Sequence, residues 1–383
     1  YSVNWLSQLR LRATFGYSGN VNNSKSAHGT ISYSSSPDPY TQLTHAYVNN
    51  PPNPSLRWEE SKILNLAVDF AAFKHRISGS IEYYTKESRD LIAPAPLDPT
   101  TGISSMDVNS AHISGRGVDV QLNTLNVNKT FKWSSTLIFS FSENKITRYL
   151  RPSGTARSYA GSGLTVTPIE GKHAYAVFSY AWAGLDENGN PQGLLNKQQL
   201  STDYNAIQSA PVSDLAYHGS ALPLYFGSLV NTFKWKSISC TIFMKYAFAY
   251  YFRRGTIDYN SLFSSWASAH ADFDKRWQQP GDEKLTTVPA LIYPASSSRD
   301  EFYKYSEATI EKGDHIRIQN VRISYSISKR HAEKVAFRNI EIILFGDNLG
   351  IIWRKNRAGL DPDYYSGYFP AAKSLSIGLK ADF

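Results

Sequence analysis

Tryptophan and tyrosine in the long polar stretches are the side chains of this sequence best suited to touching a ligand. Trp266, Trp277, Tyr293, Tyr303, Tyr364 and Tyr365 lie in or beside such stretches, where a flat ring can stack on a sugar face or hold a peptide side chain. The plainer alternative for each is loop packing or contact with a partner. The carboxylates Asp186, Glu187, Asp361 and Asp363 cluster in short motifs that could offer oxygen ligands to calcium. Asn188-Gly189 and the Asp361-Pro362 step read equally well as turns. Nothing fixes a separation between these carboxylates, so they do not make a glycosidase pair. No zinc-binding His-Glu-x-x-His, nucleophile elbow, phosphate-binding glycine loop or Cys-x-x-Cys pair occurs. The nine histidines are dispersed, with His112, His173 and His315 at strand starts and His28, His45 and His218 in connections. No enzyme and no cofactor is expected.

The elements that must hold those rings are strands. Period-two alternation recurs along the chain and puts one set of side chains on each face of a strand. From Gln8 to Tyr17 the odd positions Leu9, Leu11, Ala13, Phe15 and Tyr17 are apolar and the even positions are polar up to Thr14. From Ser239 to Tyr250 the even set Cys240, Ile242, Met244, Tyr246, Phe248 and Tyr250 shares one side, and Phe243 alone breaks the opposite one. Similar runs cover Leu64–Ala72, Ile77–Lys86, Gly117–Thr124, Phe131–Glu143, Ala174–Trp182, Tyr225–Trp235, Val321–Ser328, Ile340–Asp347 and Lys373–Phe383. With weaker candidates they amount to roughly 12 strands, near the 9 to 11 residues a tilted membrane strand needs.

Connections alternate in length. Phe73–Arg76, Asn126–Thr130 and Lys236-Ser237 are tight, whereas Gly19–Arg57, Asp90–Asn109, Asp186–Leu222 and Arg253–Gly313 are long and rich in Gly, Ser, Pro and Asn. Short turns at one end and long loops at the other mark a transmembrane barrel. A soluble antiparallel sandwich also alternates, but its strands average about five or six residues. The chain is 14% aromatic, and Trp133, Trp182, Tyr225, Trp235 and Tyr250 sit near the ends of runs, as an aromatic girdle would. No apolar run reaches the roughly 18 residues of a membrane helix.

Charge excludes little. The formal +8 arises from 40 Lys and Arg scattered among 32 acids with no basic run, which speaks against nucleic-acid binding. It fits an anionic membrane surface. The single Cys240 excludes an internal disulfide. The chain begins at Tyr1 without Met or an apolar leader, so any signal peptide is expected to have been removed or to lie upstream.

Several stretches then match a known family in order. Leu11–Asn20 (LRATFGYSGN), Asn53–Glu60 (NPSLRWEE), Asp69–Phe73 (DFAAF) and Ile77–Leu91 resemble the barrel of SusC/RagA-type TonB-dependent outer-membrane transporters. Pro99–Ile103, Asn109–Asp119, the GLDENGNP stretch, Arg276–Asp282, Phe302–Arg317, Phe345–Leu349 and Gly359–Tyr365 continue the resemblance. Phe226-Gly227 stands where the family often has a Gly-Gly pair. The last strand, apolar on alternate positions and ending in Phe383, resembles an outer-membrane assembly signal.

The resemblance implies an all-β fold in which residues 1–383 form the C-terminal part of a large antiparallel transmembrane barrel, roughly 12 of about 22 strands. The plug domain and first strands would be supplied by upstream sequence or a separate chain. It implies a transporter of the outer membrane of a Gram-negative, Bacteroidetes-type bacterium. Its partners would be a SusD-like surface lipoprotein, TonB acting through the plug, outer-membrane lipid, and an oligosaccharide or oligopeptide substrate, with glycan preferred. The rival is a β-rich surface glycan-binding module without transport.

Overall fold

The computed structural model describes residues 4–21, 23–103, 105–150, 154–166, 168–265, 269–328, 339–365 and 369–382. Ten strands form one antiparallel sheet: β1 Leu6–Asn20, β2 Glu59–Ala72, β3 Ile77–Pro96, β4 Ser105–Asn128, β5 Phe131–Tyr149, β6 Tyr225–Trp235, β7 Ile238–Phe248, β8 His315–Ser328, β9 Asn339–Arg354 and β10 Ser374–Asp382. Each pairs with its sequence neighbours, so the sheet is a meander with β1 and β10 at its edges.

The register shows why this sequence makes a two-faced wall. Directly opposed residues share a face, and one ladder of opposed residues runs Leu9, Phe70, Gly79, Leu122, Leu137, Leu229, Met244 and Ile318. Beyond the bulge of β8 the same face continues through Ile323, Leu344 and Ile377. The other face runs Arg10, Asp69, Ser80, Gln121, Ile138, Ser228, Lys245 and Arg317. Its polar groups answer one another: Arg12 pairs with Asp69 at 2.7 Å, Thr136 donates to Asn123 at 2.9 Å and Arg322 pairs with Glu341 at 3.1 Å. Phe243 meets Val230 on this polar face.

Aromatic rings border the apolar face at both ends. At the short-turn end Trp133 and Phe131 stack on Phe233 with centroids at 5.8 and 6.3 Å. At the long-connection end Phe141 meets Tyr225 at 5.1 Å and Tyr246 meets Phe248 at 5.5 Å. From Phe131 to Phe141 the strand rises about 33 Å, or about 25 Å across a bilayer at a tilt of about 40°. That is the height of a lipid-facing band.

Two glycines let tyrosines lie flat on the wall. A Cβ on Gly227 would run into Ile138 O and meet Tyr246 Oη at 2.6 Å, and Tyr246 donates across it to Ile138 O at 2.8 Å. On the polar face a Cβ on Gly117 would strike Tyr84, which donates to Ser142 at 3.2 Å.

The structure departs from the sequence expectation in several places. Among the described residues the wall sheet holds ten strands where roughly 12 are expected. Trp182 packs against a core cluster of the long connections, and Tyr250 is buried against His315, so neither belongs to the girdle. Ala174–Trp182 is not a wall strand. Ala176–Ser179 is buried at every position and pairs with Ala216–Ser220, while Trp182–Leu185 joins a separate three-stranded sheet. Nor is Asp90–Asn109 a loop, because β3 runs to Pro96 and β4 starts at Ser105, across irregular pairing near Leu91. The hairpin therefore projects beyond the wall. Phe383 lies outside the described residues.

The long connections between β5 and β6 and between β7 and β8 fold together as an external layer with its own core. Tyr159, Ala160, Ala176, Phe178, Tyr180, Ile207 and Phe302 form one cluster, and Ile257, Tyr259, Val288 and Tyr303 form a second. Tyr180 N–H donates to Tyr305 O at 3.0 Å and Glu307 N–H to Tyr180 O at 3.1 Å, which joins the two connections. The wall itself buries few large apolar side chains, whereas Leu11, Phe15, Leu66, Ile81, Trp235, Ile342 and Leu375 are exposed on its apolar face.

Candidate functional site

The external layer and the β9–β10 connection enclose a cleft of about 1190 Å³ at the long-connection end. One side is built on the strand Tyr251–Arg253, which pairs with Ile310–Lys312. Arg253 at the strand end turns inward and is enclosed. It donates to Ala160 O at 2.6 Å, Phe178 O at 2.7 Å, Thr309 Oγ1 at 2.9 Å, Lys304 O at 3.2 Å and Ser306 O at 3.4 Å. Burial pushes its guanidinium down to about 10, so it stays charged at neutral pH. Its carbonyl cage ties three segments together behind the cleft.

Arg254, next in sequence, faces the cleft floor and meets Asp272 Oδ2 at 2.6 Å, where Thr256 Oγ1 also donates at 2.9 Å. Burial opposes ionisation of Asp272, but the hydrogen bond and charge of Arg254 outweigh it, and the carboxyl lies below its ordinary value. Glu311 is shifted the other way, because burial raises it with little compensation. Lys275, Arg276 and Lys304 complete the charged lining with Asp274 and Asp282.

The opposite side carries Tyr364 and Tyr365, and an ion-pair network on the polar face of the wall positions them. Arg317 of β8, 4% exposed at its side chain, grips Asp361 with Nη2 at 2.5 and 2.6 Å and reaches Asp363 at 3.1 Å. Nη1 donates to Asn348 Oδ1 at 3.1 Å. His315, two residues earlier, lies 3.6 Å from Asp363, and its hydrogen bond holds that carboxyl below its ordinary value. The Arg317 guanidinium sits 5.9 Å from the Tyr364 ring centroid, and Tyr365 packs on Phe252 at 4.8 Å. Breaking so buried a pair by removing one partner typically costs about 3–5 kcal/mol.

Of the six aromatic residues singled out from the sequence, the structure brings Tyr364 and Tyr365 together in the cleft. Tyr293 stands apart, 83% exposed, with its ring edge-on to Phe263 at 5.1 Å. Trp277 is half-buried, donates to Glu283 at 3.3 Å and packs over Gly189, so it props the external layer. Tyr303 is 2% exposed in the second core cluster, where helix Ser297–Lys304 turns it inward. Trp266 lies outside the described residues.

The acidic motifs have protein partners. Asp186 accepts N–H groups of Asn188 and Asn190 at 2.9 and 2.7 Å, a turn, and Asp361 and Asp363 serve Arg317. Sequence reasoning missed Arg254, Lys304 and Arg317. The Arg253-Arg254 pair directly after the apolar run Tyr250–Phe252 was the one available signal.

No family model matches the chain. Over 98% of its length it is 25% identical to TonB-dependent receptor P26 of Formosa agariphila, and it covers 40% of that protein. It is 21% identical to the TonB-dependent receptor SusC of Bacteroides thetaiotaomicron over its whole length, covering 38% of SusC. Among solved structures, that of the RagAB peptide transporter superposes over the full chain with a TM-score of 0.74 at 20% identity, and the chain covers 42% of its counterpart there. The chain thus spans about 40% of the length of the curated relatives it matches. Over nearly its entire length the chain is similar to curated TonB-dependent receptors, SusC among them, and it shares the fold of the corresponding part of the RagAB transporter.

Proposed function

We propose that this chain is the C-terminal part of the wall and outer mouth of a TonB-dependent transporter that imports an oligomeric nutrient, a glycan in the first instance, across the outer membrane. The two-faced sheet carries this reading. Its apolar face, bordered by aromatic rings, turns large side chains outward on strand after strand, where a soluble monomer rarely exposes a contiguous patch above a few hundred Å², and its polar face suits a lumen. The edges β1 and β10 have no outer neighbours among the described residues. Unpaired backbone groups cost several kcal/mol each in lipid, so further strands, from upstream sequence or another chain, close the barrel.

A plug within that barrel, pulled by TonB, would open the path, and a SusD-like lipoprotein would cover the mouth. The RagAB complex supports such a lid. Tyr364 and Tyr365, side by side at a cleft that also carries Thr286 and Thr287 hydroxyls, suit stacking on sugar rings. Oligopeptide import is the second reading, favoured by the likeness to a peptide transporter. Uptake by cells expressing the complete protein tests both: saturable, TonB-dependent entry of oligosaccharides is expected. Saturable entry of peptides with indifference to glycans would reverse the substrate reading, and uptake of neither would remove the transport reading.

A further inference from the structure

The cleft contains more charge than it offers to a ligand. Arg253 is spent on carbonyls, Arg254 and Asp272 on each other, and Asp282 accepts N–H groups of Gln278 and Gln279 at 3.0 and 3.1 Å. None of these can turn to a ligand without dismantling the cleft. What remains is mainly cationic. Lys304 is exposed and approaches the Tyr305 ring at 5.6 Å; Arg276 lies over Phe273 at 4.0 Å and gives Nη1 to Phe273 O at 2.8 Å; among the described residues neither has a carboxylate partner. Lys275, 69% exposed, reaches Asp272 only at 3.8 Å. Against these three stand Asp274 and Glu311, and burial disfavours the charge of Glu311.

We infer that the cleft is an anion-recognising subsite, in which Lys275, Arg276 and Lys304 take the carboxylate or sulfate groups of an acidic oligosaccharide while Tyr364 and Tyr365 face its rings. A neutral glycan would strip water from three cations and return no charge. An acidic one replaces that water with charge-assisted hydrogen bonds. Carboxylate and sulfate present the same acceptor oxygens to the same donors. The inference rests on the import reading above and adds the chemistry of what is imported.

Calorimetry on the complete, detergent-purified transporter tests it with four probes: a galacturonic acid tetramer, its methyl ester, a sulfated oligosaccharide of equal length and a tetraglutamate peptide. At least one acidic sugar is expected to bind about tenfold more tightly than the ester, and which of the two does so separates carboxylate from sulfate. Added salt should erase the difference. Replacing Lys275→Gln and Lys304→Gln together should also erase it, by loss of affinity for the acidic sugar, whereas Lys129→Gln, at the opposite end of the wall, should change nothing. Equal binding of acid and ester, tighter binding of the peptide, or no binding of either acidic sugar would overturn the inference. Energised uptake of a neutral oligosaccharide alongside such a result would leave the import reading standing, and absence of energised uptake of any oligomer would remove both.

Discussion

At the scale of single residues, the charges that organise the external mouth are joined across sequence rather than along it. Arg254 and Asp272 are 18 residues apart and Arg317 and Asp361 are 44 apart, so in the sequence they read as scattered charge. Aromatic residues show the same limit. Tyr303 and Tyr364 looked alike as tyrosines of long connections, yet one is core and one lines the cleft. The eight-residue helix Ser297–Lys304 decides the difference, and it is too short and too polar to announce itself by period.

The Asp272 carboxyl makes the chemistry of this mouth testable by pH. Its folded value is depressed, so its contribution is fully present above the unfolded value of about 3.9 and is lost as pH falls through the folded one. Protection of residues 254–288 against hydrogen exchange, taken relative to the intrinsic rate at each pH, is expected to fall as pH drops below about 4. Asp272→Asn should raise exchange already at neutral pH and flatten that dependence. Unchanged behaviour of the variant would remove the Arg254–Asp272 pair from the set of contacts holding the cleft.

At the scale of elements, period-two alternation located all ten wall strands, because each has one face for lipid and one for the lumen. It failed at Ala174–Trp182 for a physical reason. Ala176–Ser179 is covered on both faces by the external layer, so its residues answer to packing rather than to two solvents. The external layer was illegible as a folded body, since its short strands, turns and one-turn helices carry no sustained period and its composition is that of loops. The same contrast between faces gives an expected outcome. Leu137, opposed by Leu122 and Leu229 at mid-wall, should cost about 2–4 kcal/mol when changed to Arg. Gln121→Arg, on the neighbouring strand beside Leu122 and on the polar face, should be near neutral. Folding titrations in lipid vesicles compare them, and equal costs would deny the assignment of faces.

At the scale of the whole molecule, the sheet cannot be an independent soluble unit. Its large apolar side chains lie outward on one face, its two edges have no outer neighbours among the described residues, and the two clusters of large buried side chains belong to the external layer. Under the proposed function lipid would cover the face and further strands the edges, which would leave the polar face, the cleft and the Arg317 network on the path of a solute. The sequence revealed the wall and the sidedness of its connections. It did not reveal the cleft, which exists only once residues 253–313 and 355–365 meet.

The most direct measurement is a cysteine scan of residues 133–142 of β5 in the complete protein, on a Cys240→Ser background, with a fluorophore at each position and quenchers confined either to lipid or to water. Lipid quenching is expected at 133, 135, 137, 139 and 141 and water quenching at the even positions between them. Uniform access of the aqueous quencher to both sets, with no lipid quenching at the odd ones, would contradict a membrane-spanning wall.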